Sequence, residues 1–193
     1  GTGLTTLAVT PQNVGDVLVV YAQVGVTTLT LSSVTGGGVA TWTKGVAFGG
    51  TFGGDTEIWF GKVTTAGSST ITFNWSGSVA SHTPEYGAQE FTAGLGASTL
   101  WALDKSGTLN GASSTSVPFP SLTPSTSGEL YFGYAGVANV ATAGSTSGFT
   151  YAVTPQSNMS TYDTNVTGAV SPTAVQSPAG TSSSIAVLLK ASA

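Results

Sequence analysis

Thr70-Ile71-Thr72-Phe73-Asn74-Trp75-Ser76 alternates strictly between polar and apolar side chains. Alternation with a period of two belongs to an extended chain, so this stretch reads as a strand burying Ile71, Phe73 and Trp75. The reading extends outward from there. Ile185, Val187 and Leu189 repeat the pattern, and Leu29 and Leu31 alternate with Thr28, Thr30 and Ser32. Residues 17–24 and 130–134 are apolar on both faces and read as central strands covered from both sides. Further strands are expected at 4–9, 41–47, 56–63, 86–92, 115–119, 149–153 and 161–167. Clusters such as Gly36-Gly37-Gly38 and Gly53-Gly54 separate them. No window combines a helical period with capping signals. The expected fold is all-β, an antiparallel β-sandwich or jelly roll.

The chain also echoes itself. Thr10-Pro11-Gln12-Asn13-Val14-Gly15-Asp16-Val17-Leu18 has a rough copy in Thr123-Pro124-Ser125-Thr126-Ser127-Gly128-Glu129-Leu130-Tyr131, 113 residues on. Gly38-Val39-Ala40-Thr41-Trp42 is matched by Gly148-Phe149-Thr150-Tyr151, and Gly67–Phe73 by Gly180–Val187. The sequence therefore predicts a single domain, 1–193, built from pseudo-repeats at about 10–76 and 123–190. In that alignment Leu18 superposes on Tyr131 and Ile71 on Ile185 or a near neighbour. Residues 93–105, rich in Gly and small side chains, read as a loop crossing between the copies.

Composition narrows the function classes. Charged residues make up 6% of the 193, against about 25% in an average soluble protein, and Arg is absent. Without a cluster of Lys and Arg and with a net charge of -4, the chain has no means of neutralising phosphates, which argues against nucleic-acid binding. No apolar run approaches a membrane span, so no membrane insertion is expected. Cys is absent, which removes disulfides, thiol catalysis and thiolate metal sites. A surface built from Ser, Thr, Asn and Gly has little charge repulsion to keep copies apart.

Candidate chemistry is sparse. His82 is the sole histidine and sits in the turn-like Ser81-His82-Thr83-Pro84, the setting of a solvated loop residue. The nucleophile-elbow pattern fails at Gly144-Ser145-Thr146-Ser147-Gly148, where Thr takes the central place. Asp55 and Glu57 share a strand face and are the one carboxylate pair placed for acid–base work, while Glu85 and Glu90 do not share one. Asp16 and Glu129 occupy echoing turn positions and read as structural. Calcium on Asp55, Asp104 or Asp163 lacks any loop spacing to support it, so no metal and no cofactor is expected. Three Asn-x-Ser/Thr matches, at Asn74, Asn158 and Asn165, bear on the surface only in a glycosylating host.

The aromatics give the candidate binding residues. Trp75 is in phase with Ile71 and Phe73, and Trp42 is echoed by Tyr151, so both read as packing. Trp59 is out of phase with Ile58 and Phe60, and Trp101 falls in the crossing loop. Trp59 and Trp101 are therefore the expected surface rings, suited to stacking on a sugar.

Several short segments resemble a β-sandwich module of bacterial cell-surface proteins and of phage tail or other virion proteins. They are Val14-Gly15-Asp16-Val17-Leu18-Val19-Val20, Gly38-Val39-Ala40-Thr41-Trp42-Thr43, Glu57-Ile58-Trp59-Phe60 and the closing Ser184–Lys190 strand. Gln89-Glu90-Phe91-Thr92 departs from the pattern, which has Glu-Tyr followed by a small residue. The resemblance implies a non-enzymatic display or adhesion role and carries no catalytic residue. The expected function is a structural or display protein located extracellularly, on a cell surface or in a virion. Its partners are copies of itself or other virion or surface proteins, with a cell-surface glycan as a further candidate. Residues 4–9 and 184–190 are the strands expected to pair with a neighbour. The alternative function is a free-standing carbohydrate-binding module.

Overall fold

Val17–Val24 (β2) and Glu129–Val137 (β9) are buried along their whole length, because each lies in a sheet that is packed on both faces. The computed structural model describes residues 5–193. In it the remaining strands are β1 (Thr6–Val9), β3 (Leu31–Gly36), β4 (Thr43–Gly49), β5 (Asp55–Lys62), β6 (Ser69–Trp75) and β7 (Glu85–Phe91) in the first half. The second half adds β8 (Leu100–Pro118), β10 (Val140–Thr142), β11 (Thr150–Val153), β12 (Met159–Val166) and β13 (Thr173–Ser192). Every pairing is antiparallel. One 3-10 turn, Gly96–Ser98, is the helical content of the described residues.

The first half is a sandwich of sheet β1-β6-β3 on sheet β4-β5-β2-β7. Between them lie Leu18, Val20, Trp59, Ile71 and Phe73. In the second half β9 is flanked by β12 and by residues 182–189 of β13, and β11 extends that sheet. Residues 173–177 of β13 peel away to pair with β10 and the end of β8. Tyr131, Met159, Ala186 and Leu188 fill this second sandwich. A third core joins the halves. Val17, Val19 and Tyr21 of β2 face Leu130, Phe132 and Tyr134 of β9, with Ile58, Phe60 and Phe91 beside them. Successive residues of β2 and β9 thus alternate between two cores, which is why neither strand shows a polar face.

The strand orders of the halves correspond, β4-β5-β2-β7 to β11-β12-β9 with residues 182–189 of β13, and β1-β6-β3 to the end of β8, residues 173–177 of β13 and β10, while residues 100–114 of β8 have no counterpart. Gly15 and Gly128 both take positive φ, +103° and +87°, and each donates its N–H to a valine carbonyl, of Val63 and Val166, at 2.9 Å. Only glycine adopts that conformation without strain. Asp16 accepts from the Asn13 side chain and Glu129 from Thr126, so the echoing acids brace equivalent turns. Tyr21 and Tyr134, also 113 residues apart, stack on each other with centroids at 4.4 Å in the core shared by the halves.

The third echoing segment is displaced, and this corrects the expected superposition of Ile71 on Ile185. Ile185 lies opposite Tyr134 as Gly87 lies opposite Tyr21, so its counterpart is Gly87. A Cβ at Gly87 would stand 2.3 Å from the Tyr21 ring, so glycine makes room there for the central stack. Ile71 lies on β6, in the other sheet of its sandwich and paired with Leu7, so the two isoleucines do not correspond. Similar Ser/Thr/Gly runs precede both β6 and the end of β13, and that composition misaligned them.

Two further expectations change. Residues 93–105 are not all loop, because β8 starts at Leu100 and runs nineteen residues. It is held by its backbone ladder to β13 with most side chains exposed, so no apolar alternation marks it in the sequence. The 184–190 strand is central, between β8 and β9, rather than a free edge. Of the other expected terminal strand, 6–9 forms β1 at the edge of its sheet, and Leu4 lies outside the described residues.

Candidate functional site

Asp55 and Glu57 lie on one face of β5, pointing into the first sandwich, and both are buried. Glu57 has no exposed surface. Its Oε1 accepts the Leu31 N–H at 2.9 Å, and its Oε2 accepts the Trp59 indole N–H at 2.7 Å and meets Lys44 Nζ at 2.9 Å. Lys44 also donates to the Leu31 carbonyl at 3.2 Å and lies over the Trp59 ring, 5.0 Å from its centroid. Both backbone groups of Leu31 are thus satisfied by side chains from the opposite sheet. The pair clamps β3 to β4 and β5, and a buried charge is tolerable because it is paired and fully hydrogen-bonded.

Asp55 differs, because its Oδ2 is buried with no hydrogen-bond partner among the described residues. Burial, with the Glu57 carboxylate beside it, pushes the Asp55 carboxyl up to about 7, against the opposing pull of Lys44. The folded state therefore holds a proton that the unfolded chain releases above about pH 4. The contribution to stability is complete below that value and is lost as pH rises towards 7. Between about pH 4 and 8, wild-type unfolding free energy is expected to fall by on the order of 2–4 kcal/mol from this group. Asp55→Asn, which mimics the neutral carboxyl, should flatten that slope in denaturant titrations, and parallel slopes would refute the assignment.

A second polar cluster bridges the halves at the edge of the central core. Glu85 Oε2 accepts the Tyr134 hydroxyl at 2.6 Å and Asn158 Nδ2 at 2.9 Å, while its Oε1 accepts the Gln156 N–H at 2.9 Å. Gln23 accepts from Tyr134 and, at 3.3 Å, from Asn158, whose own Oδ1 takes the Val137 N–H at 2.9 Å. Burial, together with the Glu85 charge, raises the Tyr134 hydroxyl far above its ordinary value, so it stays a donor. Glu85, Gln23 and Asn158 were not singled out from sequence as a group. The one available signal was a Glu directly before the expected strand at 86–92.

The expected surface rings are placed otherwise. Trp59 is 7% exposed inside the first sandwich, which corrects its expected surface position. Trp101 is half-buried on β8, packs against the central core, and spends its indole N–H on the Gly15 carbonyl at 3.0 Å. It borders a cavity of about 40 Å³ with Phe91, Leu130 and Leu189, far below the roughly 300–1,000 Å³ of small-molecule pockets. Trp42 and Tyr151 both pack against their sandwich cores. Trp75 is half-buried and donates to the Tyr86 hydroxyl at 2.8 Å.

The remaining titratable groups are dispersed. Asp104 accepts from Ser125 at 2.5 Å and 2.9 Å and meets Lys190 at 3.4 Å. The Ser125 bond is the chief cause holding its carboxyl down to about 2. Asp163 accepts the Asn165 N–H, and His82 lies in an exposed loop near Ser81. Among the described residues no three acidic or histidine side chains converge as a metal site would require. Asp55 and Glu57 stay together, but in the packed interior between two sheets. Comparisons of the chain with family models, curated proteins and solved structures find no match.

Proposed function

We propose that the protein is a non-enzymatic component of an extracellular surface or a virion, which assembles with copies of itself or with neighbouring surface proteins. The observation that carries this reading is an apolar end beside an open strand edge. Gly15 and Gly96 touch, since a Cβ on Gly15 would strike the Gly96 carbonyl. Around that contact stand Val14, Leu95 and Leu100, all exposed, with Leu100 at 59%. From Leu100 the edge of β8 runs nineteen residues with only Asp104 and Lys105 charged. A monomer normally blunts such an edge with charge or proline. The carboxylates support the same reading, because Glu57, Glu85 and Glu129 are spent as internal acceptors for strands and turns.

Sedimentation velocity across a wide concentration range tests it. Wild type is expected to form larger species as concentration rises, and Leu95→Asp/Leu100→Asp to remain monomeric with an unchanged far-UV spectrum. A wild type that stays monomeric throughout would remove the assembly reading. A change in Trp fluorescence on adding soluble oligosaccharide would then favour a carbohydrate-binding module.

A further inference from the structure

The two halves match except at one place. Residues 182–189 of β13 have β9 on one side and β8 on the other. Their counterpart β7 has β2 on one side and no strand among the described residues on the other. Phe91 of β7 meets Tyr162 of β12 edge-on, with centroids 5.0 Å apart, so β7 lies over β12. β11 pairs with the far side of β12 and therefore projects beyond β7. Tyr151 of β11 turns to the second sandwich core, and its neighbours Thr150 and Ala152, on the other face, are exposed. A slot one strand wide is left beside β7, opposite β11.

The slot continues into a groove between β7 and β1, lined by Leu7, Val9, Leu18, Tyr86 and Ala88. Both ends of β7 are tied down. Glu85 takes the Gln156 N–H at 2.9 Å, and Glu90 takes those of Gln12 and Asn13 at 2.8–3.1 Å. Between them the backbone of residues 86–89 bonds, among the described residues, to β2 alone. Its outward N–H and C=O groups form a ready template for another strand.

We propose that the edge of β7 accepts one extended strand from a second polypeptide. The equivalent place in the other half shows the chemistry of the occupant. It is filled by residues 100–111 of β8, antiparallel to β13 and held by a backbone ladder, with Asp104 and Lys105 its charged residues and Trp101 packed on the shared core. The occupant is therefore an extended, largely uncharged segment with apolar side chains facing the groove. A Lys or Arg at one end would reach Glu90, which has no cationic partner among the described residues. A folded sheet edge does not fit, because a second layer behind it would collide with the projecting β11. The donor is a free arm or loop. This deepens the assembly reading and rests on it only for its biological setting.

The probe is a fluorescein-labelled synthetic peptide with the sequence of residues 100–111, titrated into the intact monomeric protein. Saturable anisotropy is expected, with alternate β7 amides exchanging at least about tenfold more slowly in the complex. Ala152→Trp, which fills the slot from across, should weaken binding at least about tenfold, whereas Val140→Trp on exposed β10 should not. Absence of saturation, or equal binding by Ala152→Trp and wild type, would overturn the proposal. A protein that stays monomeric yet binds the peptide keeps the strand slot and removes self-assembly. One that assembles, but neither binds the peptide nor gains protection at β7, does the reverse.

Discussion

Glu57→Ala is expected to lower the unfolding free energy by about 3–5 kcal/mol, the usual result of removing one partner from a buried ion pair. Two buried donors lose their acceptor, the Leu31 N–H and the Trp59 indole N–H, while the Lys44 ammonium loses its carboxylate and keeps the Leu31 carbonyl. Each buried donor left without a partner costs about 1–3 kcal/mol, and water reaches a fully covered position poorly. For a chain of this length the loss corresponds to a fall in Tm of roughly 10 °C. Glu57→Gln should fall between wild type and Ala, because one amide oxygen still accepts from Leu31 while the amide N–H₂ opposes Trp59. Guanidinium unfolding monitored by Trp fluorescence checks the ranking. A change below about 1 kcal/mol for Glu57→Ala would show that the clamp contributes little.

Glu85→Ala is the second large effect, and its signature is cooperativity as much as stability. It removes the acceptor shared by Tyr134, Asn158 and the Gln156 backbone, at an expected cost of about 3 kcal/mol. Glu85 belongs to the first half and its three donors to the second, so the loss falls on the seam between the sandwiches. Each half retains its own core, and unfolding is expected to broaden with a lower apparent m. Asn158→Ala alone disturbs the same network, and in a double-mutant cycle the coupling should exceed about 1 kcal/mol. Strictly additive losses with unchanged m would mean that the cluster does not join the halves.

The strands buried on both faces were legible because a run such as Val17-Leu18-Val19-Val20 leaves no polar side to place in water. The first echo was legible because Gly15 and Gly128 are fixed by backbone conformation, which few residues can satisfy. The third was misread because Ser, Thr and Gly near β6 and the end of β13 carry almost no positional information. Only pairing across the sheets assigns Ile185 to Gly87. Residues 100–114 of β8 escaped notice, unlike its end in the expected strand 115–119, for a related reason, since an edge strand needs no apolar face and its ladder is invisible in one-dimensional sequence. Trp59 broke phase with Ile58 and Phe60, and that parity normally means exposure. β5 lies between two cores, so both parities are buried. The pairing of Glu57 with Lys44 joins strands β5 and β4, and that of Glu85 with Asn158 joins strands from opposite halves. Neither was readable before the topology was known.

The ladder between β8 and β13 has a bearing on how the chain reaches its native state. Its paired residues are separated by 55 positions at Pro118 and Thr173, and by 92 at Leu100 and Ser192. Closing loops of that size is slow, since the entropy of closure must be met before any contact offsets it. β13 is made after β8 and β9 and must slide between them. Until it arrives, β9 offers a bare apolar edge and the shared core stays open on one side. Residues 6–91, by contrast, contain both sheets of their own sandwich and can close early. The order of synthesis and the order of burial thus run together, with the shared core sealed by β13 after both of its neighbours are made.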